Sequence, residues 1–422
     1  TSAALQAAGT DGEAAAALLA FVAAFHDGHL TKTSAPATTT TTEPPWPPSS
    51  GDAMTACASY GYQQSTPVQF SLPIETLAGF TLLNDGWTDA FRGGVIDVDD
   101  VTIGVVRVPR FRTSEYPALC LRVHAALKAA GGEPTRESVG RLMNHEFLVT
   151  LAKRLEQLKK AGAAVLVVDV GGNGGGNDLG DWAARLFTDR AVHSPVMLIA
   201  SGPTAQPYFD VQLKALRAAS TTTLSARSRQ EVDAAITSFS RLQKDAAADA
   251  CDLSWVWKEQ RTWGQQGCTR LTNAGFASGP RDFVEKNTLD AAAASSVYWA
   301  AEADVVRGAW TGPSVVLVDG KTASAAELFT VLMKDELGAL VLGTKTAGMG
   351  CGFVDVDGTV VLPRSRLAFR VPNCVRLRKG TATDDVAGVV PDVSLVPAAG
   401  ESSRATAARV LKAVRDAVHV TH

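Results

Sequence analysis

Residues 314–327 read SVVLVDGKTASAAE, and the fold prediction starts from this stretch. The apolar run 314–318 predicts a buried strand, DGK at 319–321 predicts a tight turn, and TASAAE at 322–327 opens a segment with helical apolar spacing. Ser324 is therefore expected at a helix start, where unpaired backbone N–H groups stabilise negative charge. Such a serine can act as a nucleophile beside an oxyanion hole, although serine is also a preferred N-cap residue.

Four more short apolar runs extend this pattern along the chain. They lie at residues 101–108, 165–170, 195–200 and 340–343. The run at 165–170 (VLVVDV) is continuous and rich in β-branched residues, which is typical of a strand buried on both faces. Helical patterns alternate with these runs, so we predict an α/β core with a largely parallel sheet.

Changes in composition predict five segments. Residues 1–30 form an N-terminal helical segment that carries the candidate base, and residues 31–95 form a Pro/Thr-rich linker with a small β-rich region. Residues 96–203 and 306–422 are the two halves of the core, and the second half ends in a helix. Residues 204–305 are predicted to be a helical insertion that splits the core in sequence.

The composition limits the partners that the chain can have. The 422 residues are 46% hydrophobic and carry a formal net charge of −3, with acidic and basic residues mixed. This composition supports a large core and does not favour nucleic acid or an anionic membrane as a partner. No apolar run reaches the roughly 18–20 residues that a membrane-spanning helix needs, so we expect no membrane span.

The six cysteines are Cys57, Cys120, Cys251, Cys268, Cys351 and Cys374. Their count is even and none belongs to a Cys-x-x-Cys pair, which favours disulfides over a zinc site. We predict the disulfides Cys251–Cys268 and Cys351–Cys374, with Cys57–Cys120 as a third candidate. Disulfides indicate a secreted, periplasmic or cell-surface protein, whereas six reduced thiols in a cytosolic protein are the alternative.

A glycine-rich segment, DVGGNGGGN at residues 169–177, follows directly on a predicted strand. Glycines at the C-terminal end of a strand let the backbone approach a ligand and expose N–H groups. The segment lacks the Lys-Ser/Thr of a P-loop and the regular spacing of a dinucleotide fingerprint, so phosphate binding is weakly supported. An oxyanion hole is a second use, and a flexible surface turn is the structural alternative.

One of the seven histidines is placed to act as a base. His29 follows Asp27 and Gly28 where the N-terminal helix is expected to end, and this bend can aim an imidazole into a cleft. Histidine titrates near neutral pH, which suits general-base catalysis.

Four segments together resemble the C-terminal processing (tail-specific) serine protease family, in particular its branch with tricorn and chlamydial protease-like activity factor. They are DGH at 27–29, the strand and glycine segment at 165–177, the strand and TASAAE at 314–327, and GVVPD at 388–392. The resemblance implies a crotonase-like α/β core and a serine endopeptidase that acts on protein or peptide substrates. It implies no metal and no organic cofactor.

The resemblance also assigns roles to individual residues. Ser324 would be the nucleophile that forms an acyl-enzyme, and the backbone N–H groups of Ala325 and Gly175 would form the oxyanion hole. One branch of the family takes its base from the lysine of a Gly-Lys-Gly after the serine, but residues 348–350 read GMG here. A methionine cannot accept a proton, so the resemblance assigns the general base to His29.

The carboxylate that orients the histidine is expected three residues before the glycine of GVVPD, which is Asp385, with Asp384 beside it. The family usually has glutamate there, and aspartate is shorter. The predicted catalytic residues are therefore Ser324, His29 and Asp385. Asp392, the last residue of GVVPD, is expected to cap or close a turn.

Two alternatives stay open. A protein on the same fold can bind a hydrophobic ligand or a peptide without turnover, as the retinoid-binding relatives of the family do. A crotonase-like enzyme for acyl thioesters would share the oxyanion geometry, but the predicted disulfides argue against a cytosolic coenzyme A substrate.

Overall fold

The computed structural model divides the chain into two compact units. The described residues are 2–33, 52–63, 68–248, 271–354, 358–363, 365–378 and 387–420. The first unit consists of Thr1–Thr38, His193–Ala301 and Met349–Ala387. The second unit consists of Thr39–Val192, Glu302–Gly348 and Gly388–His422. The five segments expected from composition stay a prediction.

Helices and strands alternate along much of the chain. The described α-helices are α1 Ser2–Ala7, α2 Asp11–Ala23, α3 Ala53–Ser59, α4 Pro117–Ala129, α5 Arg136–Lys160, α6 Leu179–Ala184, α7 Gln206–Ser220, α8 Ala226–Ala248, α9 Ala291–Val297, α10 Ala325–Asp335 and α11 Ser403–Val420. The described strands are β1 Thr31–Thr33, β2 Thr81–Asn84, β3 Gly93–Val98, β4 Val101–Arg107, β5 Val165–Asp169, β6 Val196–Ala200, β7 Leu271–Phe276, β8 Ser314–Val318, β9 Leu340–Gly343, β10 Thr359–Val361, β11 Ala368–Arg370, β12 Cys374–Leu377 and β13 Val393–Ser394.

The second unit is built on a seven-stranded sheet with the order β13-β9-β8-β5-β4-β3-β2. Neighbouring strands from β13 to β4 are parallel, and the edge formed by β4, β3 and β2 is antiparallel. The largely parallel sheet predicted from the apolar runs at 101–108, 165–170, 314–318 and 340–343 is therefore confirmed.

The central strands of this sheet are covered on both faces. Val105 and Val167 belong to the same buried cluster as Val410 of helix α11. On the opposite face, a Cβ at Gly104 would lie 3.5 Å from the Cβ of Leu158 in helix α5. Because neither face meets water, residues 165–168 of β5 form a continuous apolar run, and β4 departs from apolar character only at Thr102 and at its last residue, Arg107.

The expectation for residues 195–200 is wrong in one respect. The run forms β6, but β6 lies in the first unit and pairs antiparallel with β12 and β7. Its burial alternates, because Met197 and Ile199 are buried while Val196 and Leu198 are partly exposed. A short apolar run suits a half-buried strand as well as a fully buried one, so the sequence pattern did not separate the two.

The first unit also holds the sheet β1-β11-β10 and helices α7, α8 and α9. The rings of Tyr208 and Phe209 in α7 lie 6.3 and 5.8 Å from the ring of Phe239 in α8. The Tyr208 hydroxyl donates a hydrogen bond to the carbonyl of Ala274 in β7 at 2.6 Å. The described part of the segment 204–305 therefore contains helices α7, α8 and α9 together with strand β7.

The region expected to be β-rich, residues 31–95, also contains the helix α3. Asp52 caps this helix, since its carboxylate accepts a hydrogen bond from the Met54 N–H at 3.1 Å. Cys57 of α3 forms a disulfide with Cys120 of α4, with Cα atoms 5.9 Å apart.

A second disulfide joins Cys351 to Cys374 in the first unit, as predicted. The predicted pair Cys251–Cys268 lies outside the described residues. Among the described helices, none combines the length and the apolar character that a membrane span requires.

Helix α6 packs tightly against the first turn of α10 in the second unit. Gly180 of α6 is buried, and a Cβ there would lie 2.1 Å from the carbonyl oxygen of Ala325. No side chain fits into that gap without moving one helix. The contact therefore fixes the start of α10 against the segment that follows β5.

We expect Gly180→Ala to destabilise the second unit, because overpacking of this kind costs about 1–3 kcal/mol of the free energy of unfolding. Gly140→Ala is the matched control in helix α5, since Gly140 is exposed and a Cβ there would meet only the Tyr62 hydroxyl at 3.9 Å. That change should stabilise by about 0.5–1 kcal/mol, because alanine is the better helix former. Denaturant midpoints followed by circular dichroism check both, and shifts in the same direction would contradict the close contact.

Candidate active site

Ser324 lies between the turn after β8 and the first turn of α10, as the sequence predicts, but its backbone is unusual for an N-cap. Its φ is 55° and its ψ is −120°. An ordinary cap such as Thr135 has extended backbone, with φ −110° and ψ 163°. A non-glycine residue held at positive φ carries backbone strain, and such strain concentrates at functional sites. Capping alone therefore does not account for the conformation of Ser324.

The turn before Ser324 is held by a network that also fixes the glycine segment. The Asp319 carboxylate accepts hydrogen bonds from the N–H of Gly172 at 2.8 Å and of Thr322 at 3.0 Å. The Thr322 hydroxyl donates to the Val170 carbonyl at 3.0 Å. The Ala323 N–H donates to the Asn173 carbonyl at 2.9 Å. The strained serine is thus supported from the loop that follows β5.

Glu327 holds Ser324 from the opposite direction. Its carboxylate is only 4% exposed, and Oε2 accepts the Ser324 N–H at 2.9 Å. Oε1 accepts the Thr346 hydroxyl at 2.5 Å and the Gly348 N–H at 2.7 Å. A carboxylate in the first turn of a helix is also stabilised by the helix dipole.

The GVVPD motif supports the same loop. The Val389 N–H donates to the Thr346 hydroxyl at 2.7 Å, and the Thr346 N–H donates to the Val389 carbonyl at 3.1 Å. The Asp392 carboxylate accepts the Val341 N–H at 2.9 Å and lies 2.6 Å from the Lys334 ammonium. Asp392 therefore anchors the backbone of this segment. The predicted acids Asp385 and Asp384 lie outside the described residues.

The glycine segment is an ordered part of the site and not an open turn. Gly175 is buried at φ 95°, and its carbonyl accepts the Phe111 N–H at 3.0 Å. A Cβ at Gly175 would lie 2.7 Å from the Cβ of Ser324 and 2.9 Å from the nitrogen of Ala325. The structure thus brings together three of the residues predicted for the site: Ser324, Ala325 and Gly175.

The two predicted oxyanion donors differ in their present hydrogen bonding. Within the described part of the chain, the Ala325 N–H has no hydrogen-bond partner. The Gly175 N–H donates to the side-chain oxygen of Asn173 at 2.8 Å. An oxyanion bound here would meet a free donor from Ala325 and would have to share the donor of Gly175 with Asn173. The oxyanion roles stay a prediction.

His29 lies in the first unit, where its ring is oriented by a backbone carbonyl. Its Nδ1 is hydrogen-bonded to the carbonyl of Met349, and the Phe353 ring lies edge-on at 5.5 Å. A carbonyl only accepts hydrogen bonds, so in the neutral imidazole the hydrogen is on Nδ1 and the lone pair is on Nε2. This is the tautomer that a general base needs.

Asp27 and Gly352 complete the surroundings of His29. The Asp27 carboxylate accepts the His29 backbone N–H at 2.8 Å and lies 3.8 Å from Nδ1. A Cβ at Gly352 would lie 2.8 Å from Nε2, so a larger residue there would crowd the basic nitrogen. The side chain of Met349 packs on Gly28, where a Cβ would meet its Cγ at 2.6 Å.

Two of these groups did not emerge from the sequence analysis. Glu327 stands three residues after Ser324, and the Ser-x-x-Glu pattern of a capping box could have identified it. The Met349 carbonyl had no such signal, because any residue supplies a backbone carbonyl. Among the described residues, no group of three His, Cys, Asp or Glu side chains is placed to hold a metal ion.

Comparison with solved structures gave matches at low sequence identity. Mature CPAF in complex with lactacystin is 19% identical, with 78% of this chain and 54% of that chain covered and a TM-score of 0.50. The photosystem II D1 C-terminal processing protease is 16% identical, with 70% and 42% covered and a TM-score of 0.30. A putative peptidase from Parabacteroides merdae is 13% identical, with 96% and 83% covered and a TM-score of 0.43.

The likeness to CPAF concerns the fold alone, and this chain spans about half of the length of that structure. A search of curated proteins gave no significant match. The sequence model of peptidase family S41 matches residues 102–395, well over half of the chain, and the protein therefore belongs to peptidase family S41.

Proposed function

We propose that the protein is a serine endopeptidase that hydrolyses peptide bonds through an acyl-enzyme on Ser324, with His29 as the general base. The observation that carries the proposal is the backbone of Ser324, held at φ 55° where α10 begins. It is supported by the close approach of Gly175, by the Ala325 N–H, which has no hydrogen-bond partner among the described residues, and by membership of a peptidase family. A strained serine at a strand-to-helix turn exposes its hydroxyl for attack.

The proposed reaction runs in two stages. Nε2 of His29 takes the Ser324 hydroxyl proton while Oγ attacks the scissile carbonyl carbon, and the Ala325 and Gly175 N–H groups stabilise the tetrahedral oxyanion. The C–N bond then breaks, and the leaving nitrogen takes the proton from Nε2. Water then attacks the acyl carbonyl carbon while Nε2 of His29 takes one of its protons. The bond from that carbon to Oγ of Ser324 breaks, and Oγ takes the proton back from Nε2. One oxyanion donor in comparable sites contributes about 2.7–4 kcal/mol of transition-state stabilisation.

The orientation of His29 has two proposed sources. The Met349 carbonyl and the nearby Asp27 carboxylate are in place in the first unit. Asp385, or Asp384 beside it, is proposed as a further carboxylate that stabilises the imidazolium. The core around Ser324 is proposed to be crotonase-like.

The cellular location of the protein is proposed from its disulfides. Two described disulfides, Cys57–Cys120 and Cys351–Cys374, support an oxidising compartment, and we propose a secreted or periplasmic protein. The substrates are proposed to be proteins or peptides, and the reaction as derived uses no cofactor. The alternative of a binding protein without turnover predicts that Ser324 does not react with active-site probes.

Ser324→Ala should abolish labelling by a fluorophosphonate probe and lower kcat for a peptide substrate by at least about 10⁴-fold, because no other group can form the acyl-enzyme. Ser314→Ala, at the start of β8, is the matched control and should leave both signals unchanged. Labelling by gel fluorescence and cleavage by mass spectrometry check the pair. Equal labelling of Ser324→Ala and the parent protein would refute the proposed nucleophile.

Glu327→Gln should lower kcat by about 10- to 100-fold with little change in KM, because a single amide oxygen cannot replace two carboxylate oxygens that hold three donors. Glu327→Ala should also lower the free energy of unfolding by about 1–3 kcal/mol, since it leaves buried donors unpaired. Asp335→Asn, at the exposed end of the same helix, is the control. An unchanged kcat for Glu327→Gln would exclude the positioning role.

Asp385→Asn should lower kcat by about 10- to 100-fold, well below the loss of about 10⁴-fold known for a triad whose aspartate alone fixes the histidine tautomer. The smaller effect is expected because the Met349 carbonyl already accepts the Nδ1 hydrogen of His29. Asp384→Asn is the matched neighbour and should change kcat less than twofold. Steady-state kinetics measure kcat for both variants. A larger loss of kcat in Asp384→Asn than in Asp385→Asn would assign the orienting carboxylate to Asp384.

A further inference from the structure

The first unit contains an apolar cavity of about 680 Å³ next to the residues that hold His29. Phe21 and Val22 of helix α2 form part of its wall, and Phe369 of β11 forms another part. Its volume lies within the range of about 300–1,000 Å³ found for ligand sites. The cavity is large enough for a bulky apolar group, and part of its wall is formed by a helix and a strand.

The cavity and the imidazole share their supporting residues. Met349, whose carbonyl accepts the Nδ1 hydrogen of His29, lines the cavity. Gly352, which approaches Nε2 so closely that a Cβ would lie at 2.8 Å, lines it as well. A group bound in the cavity is therefore positioned relative to the nitrogen that exchanges the proton.

The charge at the cavity discriminates between occupants. Asp27 is the only ionisable residue among the described residues that line it, apart from the disulfide-bonded cysteines. A carboxylate there repels the head group of a fatty acid or another anionic lipid. It attracts the ammonium group that a newly released peptide carries, because an α-amino group has a pKa of about 7.7–8.0.

We propose that this cavity is the subsite for the first residue of the leaving peptide and that it takes a large apolar side chain such as leucine, methionine or phenylalanine. The inference rests on the proposed function. When the acyl-enzyme forms, the scissile C–N bond breaks, its electron pair stays on nitrogen, and that nitrogen takes the proton from Nε2 of His29. The Cα bonded to that nitrogen carries the side chain of the first leaving residue, and this side chain is proposed to lie beside the imidazole.

The test is cleavage of a peptide series that varies only the residue after the scissile bond. The parent enzyme should favour leucine, methionine or phenylalanine over glycine by about 10- to 200-fold in kcat/KM, the range that an apolar pocket supplies. Val22→Trp, which fills the cavity, should lower kcat/KM for the leucine, methionine and phenylalanine peptides to about that of the glycine peptide and so remove this preference. Leu19→Trp is the matched control on the same helix, since Leu19 is 39% exposed and does not line the cavity.

Fluorophosphonate labelling distinguishes a failure of the proposed function from a failure of the subsite assignment alone. If the parent protein neither labels at Ser324 nor cleaves any peptide, the proposed function fails. If it labels and cleaves but shows no apolar preference after the scissile bond, or shows one only before it, the subsite assignment fails and the proposed function stands. Stoichiometric binding of cis-parinaric acid that Val22→Trp abolishes, together with no preference among the peptides, would make the cavity a lipid site and overturn the inference.

Discussion

The buried carboxylate of Glu327 accepts hydrogen bonds from the Ser324 N–H, the Thr346 hydroxyl and the Gly348 N–H. The rest of the candidate site depends on it, because a serine at positive φ relaxes unless its neighbours hold it. One oxygen fixes the serine and the other fixes the loop after β9. The helix dipole and three donors together offset the cost of burying the charge, which an unpaired carboxylate could not sustain.

The central part of the sheet of the second unit was predictable because its strands β4, β5, β8 and β9 are largely buried. The runs at 165–168 in β5, 315–318 in β8 and 340–342 in β9 are apolar without interruption, and that pattern is specific when helices separate the runs. β6 has a similar composition but a different environment, since only Met197 and Ile199 are buried. Five residues are too few for a period of two to stand out. Tertiary pairing, which the local sequence does not encode, decided which sheet β6 joined.

The serine half of the site was also predictable, for a local reason. Ser324 and Ala325 are adjacent in sequence, and Gly175 follows the neighbouring parallel strand, so their approach follows from the order of the strands. The group that orients the histidine could not be predicted from the sequence. Nδ1 of His29 is hydrogen-bonded to the carbonyl of Met349, and every residue type has such a carbonyl, so no residue pattern indicates it.

The Gly348-Met349-Gly350 segment contributes through its main chain. It lacks the lysine that one branch of the family has, yet the backbone groups of Gly348 and Met349 are both hydrogen-bonded. The Gly348 N–H donates to Glu327 in the second unit, and the Met349 carbonyl accepts from His29 in the first.

Gly350 has a φ of 63°, a conformation that favours glycine. Glycine therefore suits this segment for its backbone conformation, whether or not a lysine stands between the two glycines. A methionine side chain then adds apolar packing on Gly28 and apolar surface to the cavity. An uncharged residue suits this position, because an ammonium group next to an imidazole would disfavour the protonated state that His29 would reach as the proposed general base.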